Sequence, residues 1–559
     1  MCDLLCSHTW YLTDSNFNIP KSLVRVGDST FSGCSSITEI DLPVTTTELG
    51  NWAFENCSSL KNITLSASIN FDNCKNAFDN CSLEEIELIG NGKLDGLYYN
   101  YPWYSNADTV KKVILSDDVT KIGDRVFSSC SNMETIILGE NLNYIGDWAF
   151  EDCSSLKNIV LPNSLSYVGD KAFHNCSSIE EVSIGSDLTK IRYGTFMNCS
   201  SLKKVTLSDS IVSIESDAFE KCEALEGIYY LGDLEDWCNI SFVNISSNPV
   251  YYGHKLYIQD QLLTDLTIPD SITNIKRYSF VNCKYIESIN IPGNVVSIGG
   301  MAFSGCSGIS EIYIPTSVET IEDGAFSGCS DLKKVTLSGT YDLNAMLGGN
   351  NYALNTVFDI GIMEELTLIG NGEINDYTYS DRPLFRQRGL KKITIDGEIT
   401  KIGDYALSDL SATTVVIGDN VKTIGNYAFY DSSIENVVFG SGLRTIGQYA
   451  FSNCSKIKSL NLPTGLVSIG QYAFNRCGRL EGIILPDTLT TIENSAFYQC
   501  ALKDEIVIPN SVSYVGEDVF RLCWYLENIK IDNTSSYVTE HWNPNWNNYY
   551  SENIEYLRN

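Results

Sequence analysis

Basic residues are scarce in this chain: 38 lysines and arginines stand against 70 aspartates and glutamates over 559 residues, a formal charge of −32. A protein that grips nucleic acid or lies on an anionic membrane needs a positive footprint, so neither partner is expected. The acidity suits a long, sheet-rich body that must stay apart from its neighbours. No apolar run approaches the ~18 residues of a membrane helix. The four histidines, His8, His174, His254 and His541, share no motif, and no cysteines stand at C-x-x-C spacing, so a zinc site is not expected. There is no phosphate loop, no H-E-x-x-H, no nucleophile elbow and no paired-carboxylate motif. The two GNG triplets at 90–92 and 370–372 are too short for a phosphate fingerprint. The opening MCDLLCSHTWYLTDSNF has neither a basic n-region nor a long h-region, so no signal peptide is legible. Catalytic residues, cofactors and metal ligands are therefore all called as none.

What the chain does have is repetition. IGDWAFEDCSSLKNIVLPNSL, from Ile145, begins again as VGDKAFHNCSSIEEVSIGSDL from Val168, and the starts Ile145, Val168, Ile191 and Ile214 are each 23 residues apart. A fixed period in the twenties marks a solenoid with one strand per turn. Within a copy, Leu156-x-x-Ile159-x-Leu161 alternates at its end, which predicts a short strand over Asn158–Leu161 with Ile159 and Leu161 inward, and Asn158 and Val160 outward. Pro162 falls at the strand's end, where a missing N–H does least harm. The Ile-Gly pair predicts a turn, and Ala-Phe a short helical or 3-10 segment against the core. One copy cannot bury its own apolar face; stacked copies can.

The template L-x-x-I-x-L-P-x-S-L…I-G-x-x-A-F-x-x-C resembles the BspA-type leucine-rich repeat, a family of surface proteins of anaerobic bacteria and some mucosal protozoa. The resemblance spans nearly the whole chain. It implies an α/β repeat solenoid, a curved leucine-rich repeat stack with a parallel sheet on the concave face and short helical or 3-10 turns on the convex face. It also implies a non-enzymatic protein that binds protein partners or host surfaces, at the cell surface or secreted. The missing signal peptide and the many thiols leave an intracellular interaction scaffold as the alternative, and a carbohydrate-binding module is a further one. The oligomeric state is not legible.

Taken in order, residues 1–25 look like a degenerate first repeat or cap. The solenoid is expected over 26–531, with insertions near 66–109, 230–265 and 339–389, and a C-terminal cap over 532–559. The first and third insertions are relatives: EEIELIGNG at Glu84–Gly92 matches EELTLIGNG at Glu364–Gly372, 280 positions later.

Fourteen of the 19 cysteines occupy one slot of the template, from Cys34 to Cys523. Stacking predicts a buried column of free thiols, and Ser432 and Leu410 in the same slot point to a need for volume rather than sulfur chemistry. Cys2, Cys6, Cys74, Cys81 and Cys238 lie outside the slot and are the candidates for pairing or reactivity. Asn56, Asn80, Asn175, Asn198 and Asn453 fit N-x-S only because the template places Asn before Cys.

Binding, where the resemblance puts it, belongs to outward strand positions or to the insertions. Lys112, Lys204, Lys334 and Lys392 share the slot before the first inward strand residue and are expected either to steer an acidic partner or merely to offset nearby glutamates. Tyr313 is an outward strand aromatic. Tyr101, Trp103 and Trp237 in the insertions, which no template position requires, either seat a sugar ring or a peptide, or tuck in as a plug. Tyr405, Tyr427, Tyr449 and Tyr472 share a slot and should stack in a row.

Overall fold

A computed structural model describes residues 19–74, 76–94, 101–339, 357–358, 363–383, 389–548 and 553–558. The chain divides into two units, one of Met1–Leu263 with Tyr278–Cys283, the other of Thr264–Arg277 with Lys284–Asn559. Cys2 and Cys6 fall outside the described residues.

In the first unit, strands from Glu39–Asp41 to Lys255–Ile258 form one sheet of parallel neighbours, ended by the antiparallel Gln261–Leu262. The unit repeat sets the register: Asn158, Ile159 and Val160 lie beside Glu181, Val182 and Ser183, 23 residues on. The strand predicted over Asn158–Leu161 is Asn158–Val160. Ile159 and Leu161 are buried and Val160 is 76% exposed, as the alternation requires. A second ladder of two-residue strands, such as Tyr144–Ile145 beside Tyr167–Val168, carries the inward Ile or Val that precedes each glycine. The second unit repeats this plan, with parallel strands from Glu311–Ile314 through Lys392–Ile402 to Asn436–Val438. Both units are parallel β-solenoid, with few helices.

Between the two ladders the chain turns through Gly-x-x-Ala-Phe. Gly169 is needed for close approach: a Cβ there would stand 2.5 Å from the backbone nitrogen of Asp147 in the turn below. In place of a helical segment, the regular copies have hydrogen-bonded turns with two left-handed residues each, such as Trp148 (φ 53°) and Asp152 (φ 62°), then Lys171 (φ 53°) and Asn175 (φ 62°). The second left-handed position explains the asparagines before cysteine, because Asn and Asp tolerate that region best after glycine. Their amides are also used: Asn198 Nδ2 donates to Asn175 Oδ1 at 2.7 Å, and Asn175 Nδ2 to Asp152 Oδ1 at 2.8 Å.

The phenylalanines stack face to face through the core. Phe127, Phe150, Phe173, Phe196 and Phe219 have centroids 5.5, 5.2, 5.4 and 5.5 Å apart and are fully buried. Beside them run the slot cysteines, all fourteen free and buried. The slot asks for more than volume. Cys176 Sγ donates to the Phe150 carbonyl at 3.1 Å, and the same bond recurs from Cys153 to Phe127, Cys199 to Phe173 and Cys477 to Phe451. Ser432 keeps a donor there, its hydroxyl 3.4 Å from the Leu407 carbonyl. Cys74, Cys81 and Cys238 are also buried, with no disulfide among the described cysteines.

The stretches read as insertions are longer turns of the same stack. Glu85–Ile89 pairs with Asn62–Ser66 on one side and Lys112–Leu115 on the other. Gly227–Tyr230 pairs with Lys255–Ile258, and Glu365–Glu373 with Lys392–Ile402. Their sequences drop the template because the arcs are longer, yet the strand slots and the ladder persist.

Candidate interaction surface

Three of the named aromatic candidates lie in the core. Trp103 is 1% exposed and stacks on Phe127 at 5.5 Å and 11°, so it fills the phenylalanine slot of its turn. Its Nε1 donates to the Val126 carbonyl at 2.9 Å. Tyr101 packs on Trp103 at 5.6 Å and donates to the Leu94 carbonyl. Trp237, 0% exposed, sits on the capped helix Leu234–Asn239 and donates from Nε1 to the Ser279 carbonyl at 3.0 Å. A ring with one polar atom buries well when that atom finds a carbonyl. These residues fill the core, and Tyr101 and Trp103 also line a small cavity with Tyr104 and Arg125.

The four lysines stay at the strand face, but each meets a glutamate in register. Lys112 lies beside Glu85, with Nζ 3.0 Å from Oε1; Lys204 lies beside Glu181; Lys334 stands between Glu311 and Glu365; Lys392 is next to Glu365. Lys204 also sets its ammonium 4.4 Å over the Tyr229 ring. An exposed pair such as Lys112–Glu85 is worth ~0–1 kcal/mol.

One slot earlier lies an alternation that the sequence reading missed. Lys61, Glu84, Lys111, Glu134, Lys157, Glu180, Lys203 and Glu226 follow one another turn by turn, each backbone N–H reaching the carbonyl of the one before. Ammonium and carboxylate meet at 2.8 Å for Lys61–Glu84, 2.9 Å for Lys111–Glu84 and 2.7 Å for Lys203–Glu180. Hydrogen bonds from Lys61 and Lys111 hold the Glu84 carboxyl down to about 2. The signal was available: sorting charged residues by slot and asking for sign change between copies finds it.

Among exposed polar residues such as Asp41, Ser183 and Asn290, the strand face also carries apolar side chains. Ile137 and Val160, adjacent in the first unit, are 48% and 76% exposed. Beyond them Tyr229 and Tyr257 stack at 4.3 Å. In the second unit Tyr313, Val438 and Ile484 are exposed at outward strand positions. Large apolar side chains in these outward slots add nothing to the core.

The turn side is more polar. Tyr405, Tyr427, Tyr449 and Tyr472 do stack, with centroids 4.6, 4.7 and 4.7 Å apart, half exposed and with φ of 53 to 56°. Their faces cover one another, so only edges and hydroxyls meet solvent. In the first unit Glu151 bonds Arg125 at 3.1 Å and His174 Nδ1 at 3.3 Å, while Asn198 Nδ2 sits 3.2 Å from His174 Nε2. Since Asn198 donates, that contact assigns the proton to Nδ1, facing Glu151. Among the described residues no group of three or more His, Cys, Asp or Glu side chains is arranged to hold a metal ion, and no helix is long and apolar enough to cross a membrane.

The family profile described as BspA type leucine rich repeat region (6 copies) matches residues 9–94, 98–226, 250–372, 378–503 and 457–547. The chain belongs to the BspA-type leucine-rich repeat family. Members are proteins of a protein-interaction repeat class. No curated protein matches this chain. Among solved structures it is similar to a leucine-rich repeat protein from Bacteroides ovatus, at 20% identity over 96% of this chain and 88% of that one, with a TM-score of 0.21. A leucine-rich cell surface protein from Faecalibacterium prausnitzii is 22% identical over 82% and 90%, with a TM-score of 0.23. The pneumococcal vaccine antigen PcpA is 13% identical over 96% and 93%, with a TM-score of 0.26. Identities this low bear on the fold alone.

Proposed function

We propose that this BspA-type repeat protein is a non-enzymatic binder that engages a protein partner, at a host or neighbouring cell surface, through the outward side chains of its strands. The observation that carries the reading is the exposure of Ile137 and Val160, and of Ile484, in strand slots where the fold asks only for a residue that tolerates solvent. Packing fixes the inward positions, so recognition has the outward ones to use. Family membership supports the surface location. The seventeen described cysteines, all free, fit a reducing compartment equally well and support the intracellular scaffold as the second reading.

Two measurements test this. Locating the native gene product by cell fractionation separates surface from interior. Binding of the purified full chain to intact cells and to an array of extracellular matrix proteins tests the face: Val160→Glu and Ile484→Glu should each reduce binding, and Lys171→Glu on the turn side should not. Strand-face variants that bind like the parent would overturn the proposal.

A further inference from the structure

In the second unit the turn at Cys500 departs from the template beside an opening in the sheet. Regular copies put two residues between cysteine and leucine, as in Cys153-Ser-Ser-Leu156 and Cys477-Gly-Arg-Leu480, but Cys500-Ala-Leu502 has one. Leu502 is buried nonetheless, and Lys503 N still donates to the Glu481 carbonyl at 3.0 Å. One residue too many is then left before inward Ile506, so Asp504 and Glu505 span what Gly482 alone spans one turn earlier. Asp504 takes a left-handed φ of 57°, and the register shifts between Asp504 and Glu505. Against the next strand the pairs are Asp504–Leu526 and Glu505–Asn528, so Glu527 is the extra residue of a β-bulge, which bends a strand and re-aims its side chains.

The flanking strands pair outward from this point: Gly482–Ile484 with Ser459–Asn461, and Lys503–Ile508 with Tyr525–Ile531. Between them lies an open slot of about 460 Å³, lined by Asn461, Glu481, Ile484, Asp504, Glu505 and Leu526 among others. Ile483, at an inward position, is only half buried here. Around the slot stand large exposed side chains that no template position requires. Ile484 is 77% exposed, Trp524 76% and Tyr525 62%, with Val507 next to them in the strand beyond the bulge. Trp524 and Tyr525 stand where copies such as Cys153-Ser-Ser-Leu156 have Ser-Ser, and Tyr525 is in register with Lys503. Tryptophan and tyrosine are among the side chains that most often carry binding energy, and here they stand beside a slot lined by both polar and apolar groups.

The charge around the slot is negative. Lys503 is taken by Glu481 and Lys530 by Glu505, at 3.0 and 2.9 Å. Exposed Asp504 and Glu527 have no ion pair among the described residues, leaving two carboxylates uncompensated on a chain of −32. We propose that this slot docks an extended segment of a partner protein in which a lysine or arginine sits among large apolar side chains. The apolar groups cover Ile484, Val507, Trp524 and Tyr525, and the cation meets Asp504 and Glu527. This rests on the reading of the strand face as the interaction surface and names the partner's chemistry.

The test selects from a phage-displayed library of random twelve-residue peptides on the immobilised full chain, then titrates the synthetic winners by fluorescence polarisation. The winners should combine lysine or arginine with large apolar residues. Ile484→Asp should weaken them at least tenfold, and Asp504→Asn, which keeps a residue suited to positive φ, should weaken them severalfold. Thermal melts of both exposed-site variants should match the parent. Acidic winners, no winners, binding indifferent to both variants, or binding only to glycans on an array would overturn the proposal. Winners lost on Val160→Asp but not on Ile484→Asp would overturn the slot while keeping the strand-face reading.

Discussion

The indole N–H of Trp103 donates to the Val126 carbonyl at 2.9 Å, the atom that in a regular turn receives a backbone N–H. Phe150 N donates in this way to the Ala172 carbonyl at 2.8 Å, the residue just before Phe173. Trp237 does the same to Ser279, just before Phe280. Where a longer arc carries the backbone out of place, a tryptophan supplies the hydrogen bond, and Trp103 fills the ring slot as well.

Trp103→Phe should therefore cost ~1–3 kcal/mol although the ring stack survives, because Val126 is left with a buried, unsatisfied carbonyl. Trp103→Ala should cost ~3–5 kcal/mol. Urea unfolding followed by circular dichroism reads both. A Trp103→Phe variant as stable as the parent would show that the bond contributes nothing.

The thiol column makes stability fall in alkali. Burial pushes Cys130, Cys222 and Cys454 up to about 12 from an ordinary value of 9.0. Above 9 the unfolded chain loses these protons and the folded chain keeps them. Folding thus gains fully below that pH and loses its advantage as pH rises toward 12. The urea midpoint should drop between pH 8 and 10.5, and less steeply in a variant with all three changed to serine. Equal slopes would contradict the burial. A thiol reagent at pH 7.5 should meanwhile find few reactive groups until urea is added.

The lysine–glutamate alternation behaves as a column and not as separate pairs. Glu180→Lys places three lysines in succession, at 157, 180 and 203, and should lower the melting temperature, less so at 1 M salt. Adding Lys203→Glu would rescue an isolated ion pair. Here it leaves Lys157 beside a lysine and Glu226 beside a glutamate, so the double variant should stay below the parent. Full rescue would show that the turns do not sense one another.

The strand ladder, its facing and the cysteine column were legible because they recur: a side chain that must fit the same hole every 23 residues leaves a period. The stretch around Trp103 was not, since a longer arc changes every spacing while keeping the hole, and an indole in a phenyl's place looks like an exposed aromatic. Cys74, Cys81 and Cys238 misled for the same reason. The departure before Asp504 is visible as one missing residue between Cys500 and Leu502, yet the opening in the sheet beside it needs the neighbouring turns in place. The four lysines were found in their slot, but their glutamate neighbours sit on other turns, where only register shows them.

Inward strand positions hold the fold together and outward ones are left for recognition. One experiment reads this directly: a display library of the full chain in which single positions are randomised, sorted once for protease resistance and once for binding to the cell surface or matrix protein that the parent recognises. Substitutions at inward Ile136, Ile159 and Leu460 should fail the first sort, emptied core sites costing ~2–5 kcal/mol. Polar substitutions at outward Ile137, Val160 and Ile484 should pass the first sort and fail the second. Outward variants that pass both sorts at every position would contradict the claim.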